Sequence, residues 1–181
     1  MVTGAAGAPP RVPADLAGAW EAAARVQDPE LPMLTLADLG VLRGVARDED
    51  GTLVVSLTPT YSGCPAMAEM RASTVRALRE AGYGEARVRT VLDPPWTTDW
   101  ITEKGRAALA EHQIVPPGPA PRHRSGPVPL SLSPTRHRAQ VRCPRCGAGD
   151  TEELSRFSAT SCRALHRCRS CAEPFEHFKE I

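Results

Sequence analysis

Between residues 13 and 115 the apolar positions switch between two periods. In "PADLAGAWEAAARV", Leu16, Trp20 and Ala23 recur at helical spacing behind Pro13, which suits a first helical turn. "VLRGVAR" and "TLVVSLT" are short, β-branched and strand-like, and "DEDG" between them (48–51) is turn chemistry, so the pair predicts a hairpin. "CPAMAEMRASTVRALREAGYG" returns to the helical period. Pro65 suits its first turn, Met67, Met70, Thr74 and Leu78 form one stripe, and Gly82 and Gly84 end it. "ARVRTVL" alternates like a strand, "DPPW" breaks the chain, and "TTDWITEKGRAALAEH" resumes a helix with Thr98 or Asp99 as its cap. The pattern predicts an α+β fold: a small mixed α/β domain over 13–115 with a hairpin-containing sheet and covering helices.

The pattern then stops. Residues 116–140 contain seven prolines among 25 residues, with Arg, His and Ser between them. Such a stretch cannot bury enough apolar surface to offset its chain entropy, so it reads as a stiff, extended linker. Residues 141–181 resume with "CPRCG" and "CRSC", and "TEELSRF" and "RALHR" supply candidate strands between them. A domain of about 40 residues needs a metal or disulfides to hold it.

Composition changes this picture in two places. Apolar residues make up 41% of the 181, enough for a core, but aromatics only 4%, so the core rests on Leu, Val, Ala and Met. The net charge of +1 hides an uneven distribution. Residues 1–111 hold 11 basic and 15 acidic side chains, whereas 112–149 hold six arginines and no acid. Only this middle stretch could seek an acidic partner, and 101–156 has no Phe, Tyr or Trp to stack on bases, which argues against nucleic acid. The N-terminal sequence lacks a secretory pattern, and no run approaches the ~18 apolar residues of a membrane span. The expectation is a cytoplasmic protein with reduced thiols, whose six cysteines are metal ligands or reactive groups rather than disulfides.

Cys143, Cys146, Cys168 and Cys171 form two Cys-x-x-Cys pairs with 21 residues between them. Each pair presents two sulfurs from one tight turn, and two facing turns give the four-thiolate shell that zinc prefers. An iron site or iron–sulfur cluster would use the same four sulfurs. Cys162 is left over and reads as a small buried apolar residue, with alternative ligand or redox partner as the sharper options. Cys64 stands alone. At a helix N-terminus, unpaired N–H groups and the dipole would favour its thiolate; a buried Cys closing the helix on the sheet is the plainer reading. Asp28, Glu30 and Asp38 could cap turns or line a pocket facing Cys64. The five histidines are scattered and give Cys64 no base. Trp96 and Trp100 read as packing residues.

"DPELPMLTLADLG", a hairpin, and then "LTPTYSGCPAM" and "DPPWTTDWITEKG" resemble the SufT-like iron–sulfur assembly family. The tail "CPRCG…FSATSCRALHRCRSCAEPFEHFK" resembles the zinc ribbon of one branch of it, associated with the multicomponent oxygenase that epoxidises phenylacetyl-CoA. The resemblance implies a cytosolic accessory subunit that helps mature iron–sulfur or iron centres in oxygenase and reductase partners, without catalysis of its own. The positions carrying the family motif are Asp28, Pro29, Glu30, Asp38, Gly40, Thr58, Cys64 and Pro65. Cys64 would be the transfer thiolate, supported by Asp28, Glu30 and Thr58, and the four paired cysteines would hold structural zinc. One thiol per chain is too few for a stable cluster, so holding would be transient or shared across a homodimer. A non-catalytic adaptor of the oxygenase assembly is the alternative, and a nucleic-acid-binding ribbon the third.

Overall fold

The computed structural model describes residues 12–121 and 141–181. The Arg-rich part of the proposed linker, with Arg122, Arg124, Arg136 and Arg138, lies outside the described residues. The chain divides into two compact units, 1–108 and 109–181.

In the first unit, a short 3-10 turn at Ala14–Leu16 leads into α1 (Ala17–Ala24), which buries Leu16, Ala19, Ala22 and Ala23. Trp20, expected on that stripe, is only half-buried; the small alanines let the helix approach closely instead. The hairpin is present as β1 (Leu42–Arg47) and β2 (Leu53–Leu57), antiparallel, with the Asp48–Gly51 turn closed by Gly51 donating to the Asp48 carbonyl. α2 (Met67–Glu80) buries Met70, Thr74 and Leu78, and Met67 is half-buried. It carries the chain over to β3 (Ala86–Thr90), which pairs with β2 in parallel, giving the sheet order β1-β2-β3. The sheet's inner row, Val45, Val55 and Val88, is buried.

The expected final helix is split. A 3-10 turn spans Thr98–Trp100, and α3 runs Glu103–Glu111. Ile101, buried and extended, separates them. Neither Thr98 nor Asp99 caps; Thr97 accepts from the Asp99 N–H, and Thr102 accepts from the Gly105 N–H at 3.0 Å. Thr98 is instead fully buried, and its carbonyl accepts from Arg106. Trp96 is buried with its indole N–H donating to the Leu39 carbonyl at 3.0 Å, while half-buried Trp100 carries the Arg43 guanidinium 3.5 Å over its ring. Gly40, at φ +74°, lies so close to Trp100 that a Cβ would stand 2.6 Å from the Trp100 carbonyl oxygen. Only glycine fits there.

The second unit is a four-stranded sheet in the order β4-β7-β6-β5. Its strands are β4 (Ile114–Val115), β5 (Thr151–Ser155), β6 (Arg163–Cys168) and β7 (Pro174–Phe178). β5 and β6 are the two strands expected from sequence. β7 pairs antiparallel with β6, and β4 pairs parallel with β7. Val141, Cys143, Cys168 and Phe175 form a small apolar cluster, with Val115 and Ala148 against it. Among the described residues, no helix is long and apolar enough to cross a membrane.

Candidate functional site

The four paired cysteines converge. Their sulfurs all lie within 4.8 Å of one another; Cys143 and Cys171 are 3.7 Å apart, and Cys146 and Cys168 3.6 Å. Four sulfurs at ~2.3 Å from one central ion form a tetrahedron with edges of about 3.8 Å. The observed separations therefore fit one ion. A multi-iron cluster, which places its thiolates on different irons, needs wider spacing.

Two matching turns build this arrangement. In the first, Gly147 donates to the Cys143 carbonyl and Cys143 to the Ala148 carbonyl; in the second, Cys168 donates to the Glu173 carbonyl. The residue after each second cysteine has left-handed backbone: Gly147 at φ +74° and Ala172 at φ +62°. These turns aim N–H groups at sulfur. The N–H groups of Cys171 and Ser170 outweigh burial and bring the Cys168 thiol down to about 7. The Glu173 N–H works the same way on Cys171, but burial and its sulfur neighbours prevail and raise that thiol to about 12. Thiols bind a metal as thiolates, so a cation bound by these four sulfurs would displace their protons.

Cys162 lies apart from this cluster. It is buried beside Thr160, whose Oγ1 is 3.0 Å from its sulfur, at the opposite end of β6 from Cys168. Six residues at ~3.3 Å each put it about 20 Å away along the strand. Next to it Arg163, almost wholly buried, pairs with Glu176 at 2.6 Å. The small-buried-residue reading fits; the alternative-ligand option does not.

Cys64 is half-exposed. Its position differs from the expected one: α2 begins at Met67, three residues later. The Cys64 N–H donates to the Tyr61 carbonyl, and its own carbonyl accepts from Met67, so Cys64 joins two turns upstream of the helix. A residue preceding proline is pushed out of the α region, in keeping with Cys64 lying outside the helix. The dipole falls off within the first turn, so it acts on this sulfur less than the sequence suggested.

The acids hold turns. Asp28 is buried, and its Oδ1 accepts from the Glu30 and Leu31 N–H groups at 2.8 Å each, shaping the "DPEL" loop. Half-buried Glu30 lies on that loop. A groove of about 340 Å³ separates the loop from α2; Asp28 and Pro29 line one wall, and Glu69, Ser73 and Arg76 the other. Cys64 is not among its lining residues. Asp38 is a hub: it accepts from Thr35 at 2.7 Å and from Lys104 and Thr102 at 3.2 Å. Burial works against its charge, but the Thr35 and Lys104 contacts outweigh it and hold the carboxyl below its ordinary 3.8. Thr102 and Lys104 stand more than 60 residues away in sequence, so nothing local could have revealed them. Thr58 is fully buried just after β2. Its N–H donates to the Val41 carbonyl, while its hydroxyl has no hydrogen-bond partner.

Comparison with known proteins divides at the same place. A family model for iron-sulfur cluster assembly proteins matches residues 18–93, and one for the PaaD zinc beta ribbon domain matches 128–179. Over 162 residues the chain is 41% identical to a subunit of the "Putative 1,2-phenylacetyl-CoA epoxidase" of Escherichia coli (strain K12), covering 90% of this chain and 91% of that protein. It is 33% identical over 86 residues to the Fe-S protein maturation auxiliary factor YitW of Bacillus subtilis (strain 168), covering 47% of this chain and 83% of the relative. To the Fe-S protein maturation auxiliary factor SufT of Staphylococcus aureus (strain USA300) it is 32% identical over 85 residues, covering 46% and 96%. With an assembly domain followed by a four-cysteine ribbon, and similarity to the epoxidase protein running through both, the chain belongs to the PaaD family of 1,2-phenylacetyl-CoA epoxidase subunits.

Proposed function

We propose that this protein is an accessory subunit that helps install iron or iron–sulfur centres in the components of a phenylacetyl-CoA epoxidase. Cys64 is the residue that holds the cargo in transit. The observation that carries this reading is the placement of a half-exposed thiol inside the matched assembly domain, apart from the four gathered sulfurs. The relatives whose names specify Fe–S protein maturation match only about half of this chain, and the assembly family model matches 18–93, which supports assigning the maturation role to that domain.

The chemistry asked of Cys64 is ligand exchange. Its S–H gives up a proton to solvent, and the thiolate takes one coordination position on the cargo. A client thiolate then displaces it. With one protein sulfur the cargo is held incompletely, which favours release; a second chain could supply another. Asp28 keeps its own loop in shape through its two backbone contacts. Glu30 and the buried Thr58 hydroxyl are the oxygen groups assigned to support the site.

In the ribbon, zinc is the ion we assign to Cys143, Cys146, Cys168 and Cys171. When bound it supplies charge and cross-linking to a unit whose apolar cluster is small, with no open position for catalysis. The ribbon then serves to dock the epoxidase components. The compartment that suits this role is the cytoplasm.

The test is Cys64→Ser in cells, reading iron content of the purified epoxidase components together with zinc content of the variant itself. Zinc should stay at one per chain while client iron falls. Undiminished client iron, with the components still co-purifying, would instead support a non-catalytic adaptor and end the transfer reading.

A further inference from the structure

A groove of about 800 Å³ runs along the first unit between α2 and β3. Its floor is apolar, with Ala72 and Val75 of α2 beside Val88 of β3. Its rim is arginine: Arg71, Arg76 and Arg79 from the helix, Arg87 and Arg89 from the strand. Arg87 and Arg89 alternate with buried Val88, so they leave the strand on the opposite face of the sheet. Arginines thus flank the strand on both sides.

Among the described residues, little neutralises them. Arg76 meets Glu69, and Arg87 meets Asp48 and Asp50, all as exposed pairs of small energetic value. Arg89 donates to Ser56, a neutral group. Among the described residues, no carboxylate pairs with Arg71 or Arg79. The strand they frame is also unfinished. β3 is the outer member of the order β1-β2-β3, so its far edge has no strand beside it among the described residues. The Val91 N–H points inward to the Leu57 carbonyl at 2.8 Å. By the pleat alternation, the N–H groups of Thr90 and Val88 face outward.

We infer that this groove is a docking site for an extended acidic segment of a partner protein, which adds to β3 as a fourth strand. An open edge beside a helix with an apolar floor is the geometry of strand addition, in which main-chain bonds supply affinity and alternate side chains supply choice. The period of two sets the preference here. One face of the added strand lies over Ala72 and Val75 and takes apolar residues, and the other faces Arg87 and Arg89 and takes carboxylates. The helix arginines close over the segment from the side. A second copy of this chain is a poor occupant, since pairing two β3 edges would oppose arginine to arginine.

The probe is a fluorescein-labelled nine-residue peptide of alternating Glu and Val, titrated into the full chain, with alternating Lys and Val as control. The acidic peptide should bind saturably and lose affinity as salt rises, and the Lys peptide should not bind. The double variant Arg71→Glu, Arg79→Glu should weaken binding at least about tenfold through exposed charge alone. Thr90→Pro removes one outward N–H without touching the ladder to β2 and should weaken it similarly. Urea midpoints of both variants establish that they fold. Amide exchange at Val88 and Thr90 should slow in the complex. The proposal is overturned if the peptide fails to bind at about 1 mM, or if Thr90→Pro binds like wild type. Competition by coenzyme A would also overturn it, because the groove would then be a site for small polyanions.

Discussion

The two cysteine turns of the ribbon share a left-handed position, filled by glycine in one and alanine in the other, which allows the cost of that backbone to be measured. Gly147 and Ala172 both follow the second cysteine of a pair, and both are left-handed, at φ +74° and +62°. A residue with a Cβ is strained there by about 1–2 kcal/mol. Part of that is offset, because alanine restricts the unfolded chain more than glycine does, by ~0.4–1 kcal/mol. The net for either exchange is therefore about 1 kcal/mol, or roughly fivefold in an equilibrium constant. A Cβ at Gly147 would meet no atom within 4 Å, so Gly147→Ala isolates conformation from collision. Ala172→Gly should do the reverse. Because a small ribbon gains much of its folding free energy from its metal, both changes should appear in metal affinity. Zinc partition between the full chain and a chromogenic chelator measures this directly. Gly147→Ala should hold zinc about fivefold more weakly, and Ala172→Gly about fivefold more tightly. Equal affinity for Gly147→Ala and wild type would show that the left-handed turn is not part of the binding-competent state, and the reasoning would fail.

Three further outcomes are expected. Thr58→Val replaces a buried hydroxyl that lacks a partner with a methyl of the same shape, so the unfolding free energy measured by urea titration should rise by up to ~1–3 kcal/mol while client iron falls; a destabilised variant would mean the hydroxyl is already satisfied. Asp38 has a folded pKa below its ordinary value, so its contribution is fully present above pH ~4 and lost as pH falls through the lower folded value. Asp38→Asn should flatten acid unfolding in that window, followed by tryptophan emission, and a pH dependence like that of wild type would refute the assignment. Stripping metal with a strong chelator should remove strand signal from the circular dichroism and leave tryptophan emission unchanged, because all three tryptophans and both tyrosines precede residue 109; a shifted emission would show that the first unit's core depends on the ribbon's metal.

What could be read from sequence was whatever local chemistry decides. The hairpin was legible because two β-branched runs flank an acid-and-glycine turn. The metal centre was legible because Cys-x-x-Cys constrains two sulfurs within four residues, leaving only the pairing of the two turns to the fold. The start of α2 was partly misjudged: Pro65 keeps its predecessor out of the helix, and the regular helix begins only at Met67. β7 was missed because it begins with proline and is only five residues long, and β4 because it is two residues beside a proline run. Neither has a period to detect; β7 exists because β6 presents an edge to pair with, and β4 because β7 in turn does. Asp38 was visible as an acid, but its role depends on Thr102 and Lys104, which only the tertiary fold brings to it.

The chain has two kinds of thiol, four gathered in one cluster and Cys64 not among them, and the difference bears on how it could work. Four sulfurs within 4.8 Å make a closed shell. A closed shell holds its ion firmly and offers no position for an incoming ligand. Such a centre cannot also pass metal onward without unfolding the turns that form it. A thiol with one sulfur to offer has the opposite property, since whatever it binds keeps positions for the next protein's ligands. On the proposed reading, Cys64 must therefore remain outside the ribbon's shell for transfer to be reversible. The same logic applies to Cys162, which is buried against Thr160 at the far end of β6 and adds no stray ligand to the ribbon's shell.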